Sequence, residues 1–254
     1  MIKELNEVNE DWFSVWFNSP YYHLLYNKRD YAEARRLIDN LDKYFRWSKE
    51  DYIMDLACGK GRHSIYLNQK GAKVTGLDLS KQNIAYASSF ENERLNFVVQ
   101  DMRSLGFKNT FSHVVNLFTS FGYFTSDEDN YAVFNSVYAS IKPGGYFLID
   151  YLNPDKVISE LVQQEEKVIE GVKFIISRGI ENGFIVKDIT FFDDGKRHHF
   201  QERVQILREE HFEYYFAKVG FQLEKVFGDY ELNKFDFDTS DRMIFLAKKP
   251  LNVS

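Results

Sequence analysis

The chain has 254 residues and a formal net charge of −6, and 44% of its residues are apolar. This composition excludes a disordered chain, and the length allows one large α/β domain or one domain with a cap. A single cysteine, Cys58, excludes an internal disulfide framework and fits a reducing compartment. Lysine and arginine are spread along the chain, which disfavours a nucleic-acid substrate. No signal peptide and no apolar run near the roughly 18 residues of a membrane span is present, so we expect a cytoplasmic protein without a membrane partner.

The first predicted element is an aromatic N-terminal stretch that leads into an amphipathic helix over residues 30–41. Asp30 as the N-cap and Glu33 three residues later form a capping box for this helix. We expect a helical cap whose aromatic side chains cover the main core, and some of them are expected to close over a cofactor. The aromatic residues of this stretch are Trp12, Phe13, Trp16, Phe17, Tyr21, Tyr22, Tyr26 and Tyr31.

Strands and helices then alternate, which is typical of a parallel sheet covered by helices on both faces. Apolar runs predict strands over 52–57, 73–77, 96–100, 113–118 and 145–151. Helical periodicity predicts helices over 62–70, 81–90 and 127–141, the last with Ser126 as its cap.

The pattern changes after Tyr151. Long strand-like runs over 172–180, 184–192 and 198–207 are joined by Asn182-Gly183 and by Asp193-Asp194-Gly195, which are hairpin turn signals. We predict a three-stranded antiparallel insertion here, followed by a helix over 209–219 and two strands over 221–227 and 242–247. The expected fold is therefore α/β, with a doubly wound, mostly parallel seven-stranded sheet, an antiparallel β insertion and the N-terminal helical cap.

The loop from Asp55 to Gly61 is the strongest functional signal. It follows a predicted strand, contains Gly59 and Gly61, and opens into a helix, so the backbone can approach a ligand closely. The acid at the end of the strand repels phosphate oxygens. It suits a ligand with positive charge or donor groups, such as S-adenosylmethionine (SAM), which has an ammonium, a sulfonium and a ribose.

Three further signals follow in the order that a SAM site requires. Asp78 ends the second strand nineteen residues after Gly59, the usual spacing for a carboxylate that accepts ribose hydroxyls. Asp101-Met102 ends the third strand, where a carboxylate and a backbone N–H can recognise the adenine edge. The turn over residues 141–145 leads into the fifth strand. Four signals at carboxyl ends of strands point to one site, because open α/β sheets bind ligands there.

The chain resembles class I SAM-dependent methyltransferases, and more narrowly small-molecule enzymes of the amino-sugar N-methyltransferase type. The matching pieces lie over residues 22–34, 55–61, 100–103, 118–123 and 195–199. The resemblance implies one Rossmann-like methyltransferase domain over 1–254, with a cap (1–50), a SAM-binding core (51–151), the insertion (152–207) and the end of the sheet (208–254). It also implies a SAM site at Gly59, Asp78, Asp101 and Met102, closed by N-terminal tyrosines. Position 123 is Tyr, where the sugar enzymes tend to have His, so the acceptor stays open.

The candidate site residues follow from these signals. Because the sulfonium is already a good leaving group, the enzyme mainly aligns the reactants, which can supply about 7–11 kcal/mol. Tyr123 and His198 are the candidates for contact with the acceptor and its proton. No metal is expected. The predicted cofactor-binding residues are Tyr22, Tyr31, Asp55, Ala57, Gly59, Gly61, Asp78, Leu79, Asp101, Met102 and Phe118.

Other functions remain open at this point. A nicotinamide-dependent oxidoreductase would share the core but should have a third glycine where Ser64 stands. A non-catalytic SAM-binding regulator is a second alternative. RNA methylation is disfavoured by the acidic charge balance, and no Asn-Pro-Pro-Tyr sequence follows the fourth strand, which argues against planar amide-like acceptors. We expect a small-molecule acceptor, no nucleic-acid partner, and a homodimer.

Overall fold

A computed structural model describes residues 12–26 and 31–251, and its largest element is a seven-stranded sheet in the order β10-β11-β5-β4-β1-β2-β3. The first five strands in sequence run parallel to one another, whereas β11 pairs antiparallel with β5 and β10 pairs antiparallel with β11. The predicted fold class is thereby confirmed. The strands are β1 (Tyr52–Leu56), β2 (Lys73–Asp78), β3 (Leu95–Val99), β4 (Phe111–Asn116), β5 (Ile141–Leu152), β10 (Gln222–Phe227) and β11 (Arg242–Lys248).

Helices cover both faces of this sheet, because its strands are apolar on both sides. Leu37, Leu67 and Ile84 pack against one face, and Phe134 and Phe212 pack against the other. None of the helices within residues 12–26 and 31–251 is long and apolar enough to cross a membrane. The helices are α3 (Tyr31–Phe45), α4 (Arg62–Gln69), α5 (Lys81–Ala87), a short 3₁₀ turn (Ser88–Phe90), α6 (Asp127–Ser140), α7 (Pro154–Ser159) and α8 (Glu209–Val219).

The insertion has four strands, so the prediction of three was wrong. Its order is β6-β7-β8-β9, with β6 (Gln164–Ile169), β7 (Val172–Glu181), β8 (Phe184–Asp193) and β9 (Lys196–Gln205). β6 was missed because its first four residues, Gln-Glu-Glu-Lys, show no alternation of apolar and polar side chains. An edge strand with charged side chains is common, since it discourages pairing with another chain. The short helix α7 was also not predicted. Asp30, the predicted N-cap of α3, lies outside the described residues.

Two short helices, α1 (Trp12–Phe17) and α2 (Pro20–Leu25), form the described part of the cap before α3. Their apolar side chains pack on one face of the inserted sheet, where Trp16 and Leu25 meet Phe174, Ile189 and Phe191.

Partly buried polar contacts attach this cap to the inserted sheet. The Trp16 indole N–H donates to Glu202 Oε1 at 2.7 Å, and the Tyr26 hydroxyl donates to the same carboxylate at 2.7 Å. The Lys187 ammonium donates to the Tyr26 hydroxyl and lies 3.4 Å from Glu202 Oε2. We call Glu202, Lys187, Trp16 and Tyr26 the cap anchor.

Candidate functional site

A cavity of about 580 Å³ lies between the cap and the carboxyl ends of β1, β2 and β4. Parallel strands place their last residues at one edge of the sheet, so side chains that are distant in sequence meet there. Seven of the predicted site residues line this cavity, which are Tyr22, Asp55, Ala57, Gly59, Asp78, Phe118 and Tyr123.

The loop after β1 brings its backbone to the cavity at Ala57 and Gly59. Ala57 has φ +61° and Gly59 has φ +56°, so the chain turns through left-handed conformations. Apart from its two neighbours in the chain, no described residue has an atom within 4 Å of where a Cβ atom on Gly59 would lie. The space beside Gly59 is therefore open to a ligand that passes over the loop.

Asp78 is held beside this loop by backbone donors. Its carboxylate accepts the Gly59 N–H and the Ser80 N–H, both at 2.8 Å. Burial raises the pKa of Asp78, and these hydrogen bonds act in the opposite direction. A fixed carboxylate that lines the cavity can accept hydroxyl groups from a ribose.

Asp55 lies at the base of the cavity and is 1% exposed. The Ser64 hydroxyl donates to Asp55 Oδ2 at 2.6 Å. Burial raises the pKa of Asp55 to about 7 even though this hydrogen bond lowers it. Ser64 stands where a dinucleotide-binding fingerprint would have its third glycine, and here its hydroxyl is the partner of the acid.

Other predicted cofactor residues lie outside the cavity wall. A Cβ on Gly61 would come within 2.7 Å of the Phe97 ring, so this glycine allows α4 to pack closely against β3. Leu79 is 44% exposed. Met102 is partly buried against the core. Although burial acts to raise it, hydrogen bonds from Arg103 hold the pKa of Asp101 below its usual range.

The loop after β4 forms the opposite wall. Phe118 stacks on His63 with ring centroids 5.0 Å apart, and the Arg62 guanidinium lies 5.0 Å from the Phe118 ring. The Tyr123 hydroxyl donates to the Thr119 carbonyl oxygen. Burial, together with the charge of Arg62, lowers the pKa of His63 to about 3, so this imidazole is neutral.

One further predicted residue, His198, is not brought to this cavity. His198 stacks on Phe191 at 4.9 Å and lies 4.9 Å from the Tyr21 ring, within the interface between the inserted sheet and the cap. Tyr31 begins α3, and its side chain lies outside the described part of the chain.

Several cavity residues were missed in the sequence. His23 lines the cavity from α2, and burial, with the charge of Lys60, lowers its pKa. Arg35, Lys60 and Arg62 bring three cationic side chains to the wall. One signal was available for α4, because Arg62, Ile65, Tyr66 and Gln69 recur at the spacing of one helix face and all line the cavity. Within residues 12–26 and 31–251, no cluster of His, Cys, Asp and Glu is arranged to hold a metal ion.

The residues present fit SAM. Asp78 offers a carboxylate for the ribose, Gly59 leaves space for the methionyl chain, and aromatic rings surround the end of the cavity near β4. This donor set suits a ligand that combines hydroxyl donors with positive charge.

Comparisons with known proteins agree with this fit. Residues 53–145 match the family model described as a methyltransferase domain. YqeM of Bacillus subtilis, which is named as a methyltransferase, is 29% identical to this chain over 232 residues. The match covers 84% of this chain and 92% of YqeM. The dTDP-3-amino-3,4,6-trideoxy-alpha-D-glucopyranose N,N-dimethyltransferase of Streptomyces venezuelae is 26% identical and covers 82% of this chain and 91% of its own.

The fold is also shared with a solved structure. A SAM-dependent methyltransferase from Clostridium acetobutylicum superposes with a TM-score of 0.76 at 23% identity, covering 91% of this chain and 96% of that one.

Proposed function

We propose that this chain, which is a SAM-dependent methyltransferase, methylates the nitrogen of a small amine. The cavity of about 580 Å³ under the aromatic cap carries the proposal, since a concave site of this size suits a small molecule. The Streptomyces venezuelae relative, named for an amino sugar, makes amines the first class to test.

SAM supplies an activated methyl group on a sulfonium when it is bound. The protein would hold SAM through the Asp78 carboxylate at the ribose and through the open backbone of Gly59 along the methionyl chain. Alignment of donor and acceptor is the main contribution to rate, because the leaving group needs no further activation. The cap residues Phe17 and Tyr22 line the same cavity and would exclude water from it.

Tyr123 is the residue that we assign to the acceptor. Its hydroxyl donates to the Thr119 carbonyl oxygen, and a phenol oxygen that donates one hydrogen bond is also able to accept one from the N–H of an amine. An amine held by its N–H can direct its own lone pair toward the methyl group. His198 is stacked on Phe191 outside the cavity wall, which supports Tyr123 over His198 for this contact.

The acceptor is proposed to carry an anionic group. The wall of the cavity contains Arg35, Lys60 and Arg62, opposed by the acids Asp55 and Asp78. One cation suffices for the carboxylate of SAM. The others would suit a phosphate or carboxylate on the acceptor, since guanidinium groups bind both.

The test is an acceptor screen that measures S-adenosylhomocysteine (SAH) formed by the purified protein. The compounds are nucleotide-linked amino sugars, free amino sugars, glycine and neutral amines, with transfer RNA as a separate arm. We expect turnover with an anionic amine above the rate without acceptor, and loss of that turnover in Asp78→Ala. Methylation of RNA but of no small amine would contradict the proposal.

We also propose a homodimer and a cytoplasmic location. The homodimer is supported by the face of the inserted sheet that points away from the cap, which exposes Val168, Ile175 and Phe192. The cytoplasmic location is supported by the only cysteine, Cys58, which is unpaired and buried. Light scattering at several protein concentrations measures the assembly, and a monomer at all of them would contradict the homodimer.

A further inference from the structure

The loop after β4 contains two consecutive residues in an unfavourable backbone conformation. Phe118 has φ +59° and Thr119 has φ +56°. Residues other than glycine adopt this left-handed region at a cost, so the surrounding structure must hold them there. Four residues of this loop line the cavity, which are Leu117, Phe118, Ser120 and Tyr123.

A buried ion pair holds both residues. Asp150, on β5, has no exposed surface, and its Oδ2 atom accepts the Phe118 N–H at 2.7 Å. Asp150 Oδ1 accepts from Arg242 Nε, on β11, at 2.8 Å. Arg242 Nη2 then donates to the Thr119 hydroxyl at 2.8 Å. The pair therefore contacts the backbone of Phe118 and the side chain of Thr119.

Tyr230 completes this arrangement. Its hydroxyl donates to Asp150 Oδ2 at 3.2 Å, and its ring lies 5.0 Å from the Phe118 ring. Burial, reinforced by the charge of Asp150, raises the pKa of Tyr230, so the hydroxyl keeps its proton and remains a donor. Phe118 is thus packed between Tyr230 and His63.

Sheet stability does not by itself account for the charges. β5 and β11 already pair along their backbones from Tyr146 to Leu152. Two apolar side chains could fill the same volume without the free-energy cost of removing two charges from water. The side-chain contacts of the ion pair instead extend to the left-handed segment. Asp150 and Arg242 do not themselves line the cavity.

We propose that Asp150 and Arg242 are positioning residues that hold Phe118 and Tyr123 at the methyl-donating end of the cavity. Phe118 is held through its N–H, and Tyr123 through the Thr119 carbonyl that accepts its hydroxyl. Aromatic rings fixed beside a sulfonium stabilise its positive charge, which SAM has and SAH lacks. The inference depends on the SAM site and not on the identity of the acceptor.

The first test uses Thr119→Ala, with Thr119→Ser as the matched control that keeps the hydroxyl. Calorimetry measures the affinities of SAM and SAH, and thermal denaturation confirms folding. We expect Thr119→Ala to weaken SAM about tenfold and SAH by less than about threefold, because only SAM is cationic. Thr119→Ser should keep both affinities. An unchanged ratio of the two affinities in Thr119→Ala would overturn the proposal.

The second test removes the charge with Asp150→Asn. Its control is Asp155→Asn, which breaks the ion pair of Arg208 with Asp155 at 2.9 Å, away from the loop. A purely structural pair would lower the melting temperature and leave the ratio of SAM to SAH affinity unchanged. The proposal requires that ratio to fall in Asp150→Asn and to stay constant in Asp155→Asn. Neither test uses an acceptor, so failure of the amine proposal would leave these results interpretable.

Discussion

Replacing Gly59 by alanine should impair cofactor binding while the protein remains folded. The same replacement at Gly61 should lower the stability of the protein and leave cofactor binding nearly unchanged. The two glycines make a matched pair, because both have positive φ, +56° and +81°, and both lie in the loop between β1 and α4. The added methyl group is the same. Only its surroundings differ, since it meets open space at Gly59 and the Phe97 ring at Gly61.

The expected magnitudes follow from these surroundings. A left-handed alanine costs roughly 1–2 kcal/mol at either position. Contact at 2.7 Å with Phe97, together with Ala87 at 3.2 Å, adds an overpacking cost of about 1–3 kcal/mol for Gly61→Ala alone. Since each kcal/mol lowers the melting temperature of a chain of this size by about 2–4 °C, Gly61→Ala should melt clearly below Gly59→Ala.

The assay combines thermal denaturation with calorimetric titration of SAM. In Gly59→Ala the methyl group should occupy space that SAM uses and weaken binding by about 1–3 kcal/mol, roughly 5- to 150-fold. In Gly61→Ala the affinity of the folded fraction should change little. Normal SAM affinity in Gly59→Ala would contradict this prediction, because the ligand would then not pass over this loop.

Three further predictions concern single polar groups. Asp78→Ala should weaken SAM by on the order of 1.5–3 kcal/mol by calorimetry, the range for hydrogen bonds to a charged group, and unchanged affinity would remove Asp78 from the site. Tyr123→Phe should lower turnover of a verified acceptor with little change in SAM affinity, because the ring remains. Equal turnover of the two proteins would exclude a role for the hydroxyl. Burial raises the pKa of Asp55 from 3.8 to about 7 in the folded protein, so wild-type stability should fall as pH rises through that window. Asp55→Asn should lack this fall. Melting curves between pH 4 and pH 8 test this, and a wild-type stability that rises with pH would contradict the prediction.

The central part of the site could be predicted because it depends on neighbouring strands. Gly59 and Asp78 are nineteen positions apart, and their strands pair directly in parallel register. The alternation of strands and helices was enough to bring both to one edge of the sheet. The glycine pattern alone could not reveal that Gly59 faces a cavity and Gly61 faces Phe97, because both uses need a residue without a side chain.

The remainder of the site depends on how distant segments pack. Alternation along β9 places His198 and Phe200 on one face of the strand, but no local pattern shows that this face packs against the cap. The contribution of Arg35 and His23 depends in the same way on where α3 and α2 lie over the sheet. The ion pair of Asp150 and Arg242 joins residues 92 positions apart, and no local pattern marks it.

The cap anchor affects the order in which the parts of the chain fold. The contact of Trp16 with Glu202 closes a loop of 186 positions, and that of Tyr26 with Glu202 closes one of 176. Closing such long loops costs more conformational entropy than closing short ones and slows folding, whereas the β1–β2 pairing is short-range. We expect the strands at the base of the cavity to form before the cap helices α1 and α2 pack over it. Hydrogen exchange of the native protein should accordingly show α1 and α2 opening at lower free energy than β1 and β4.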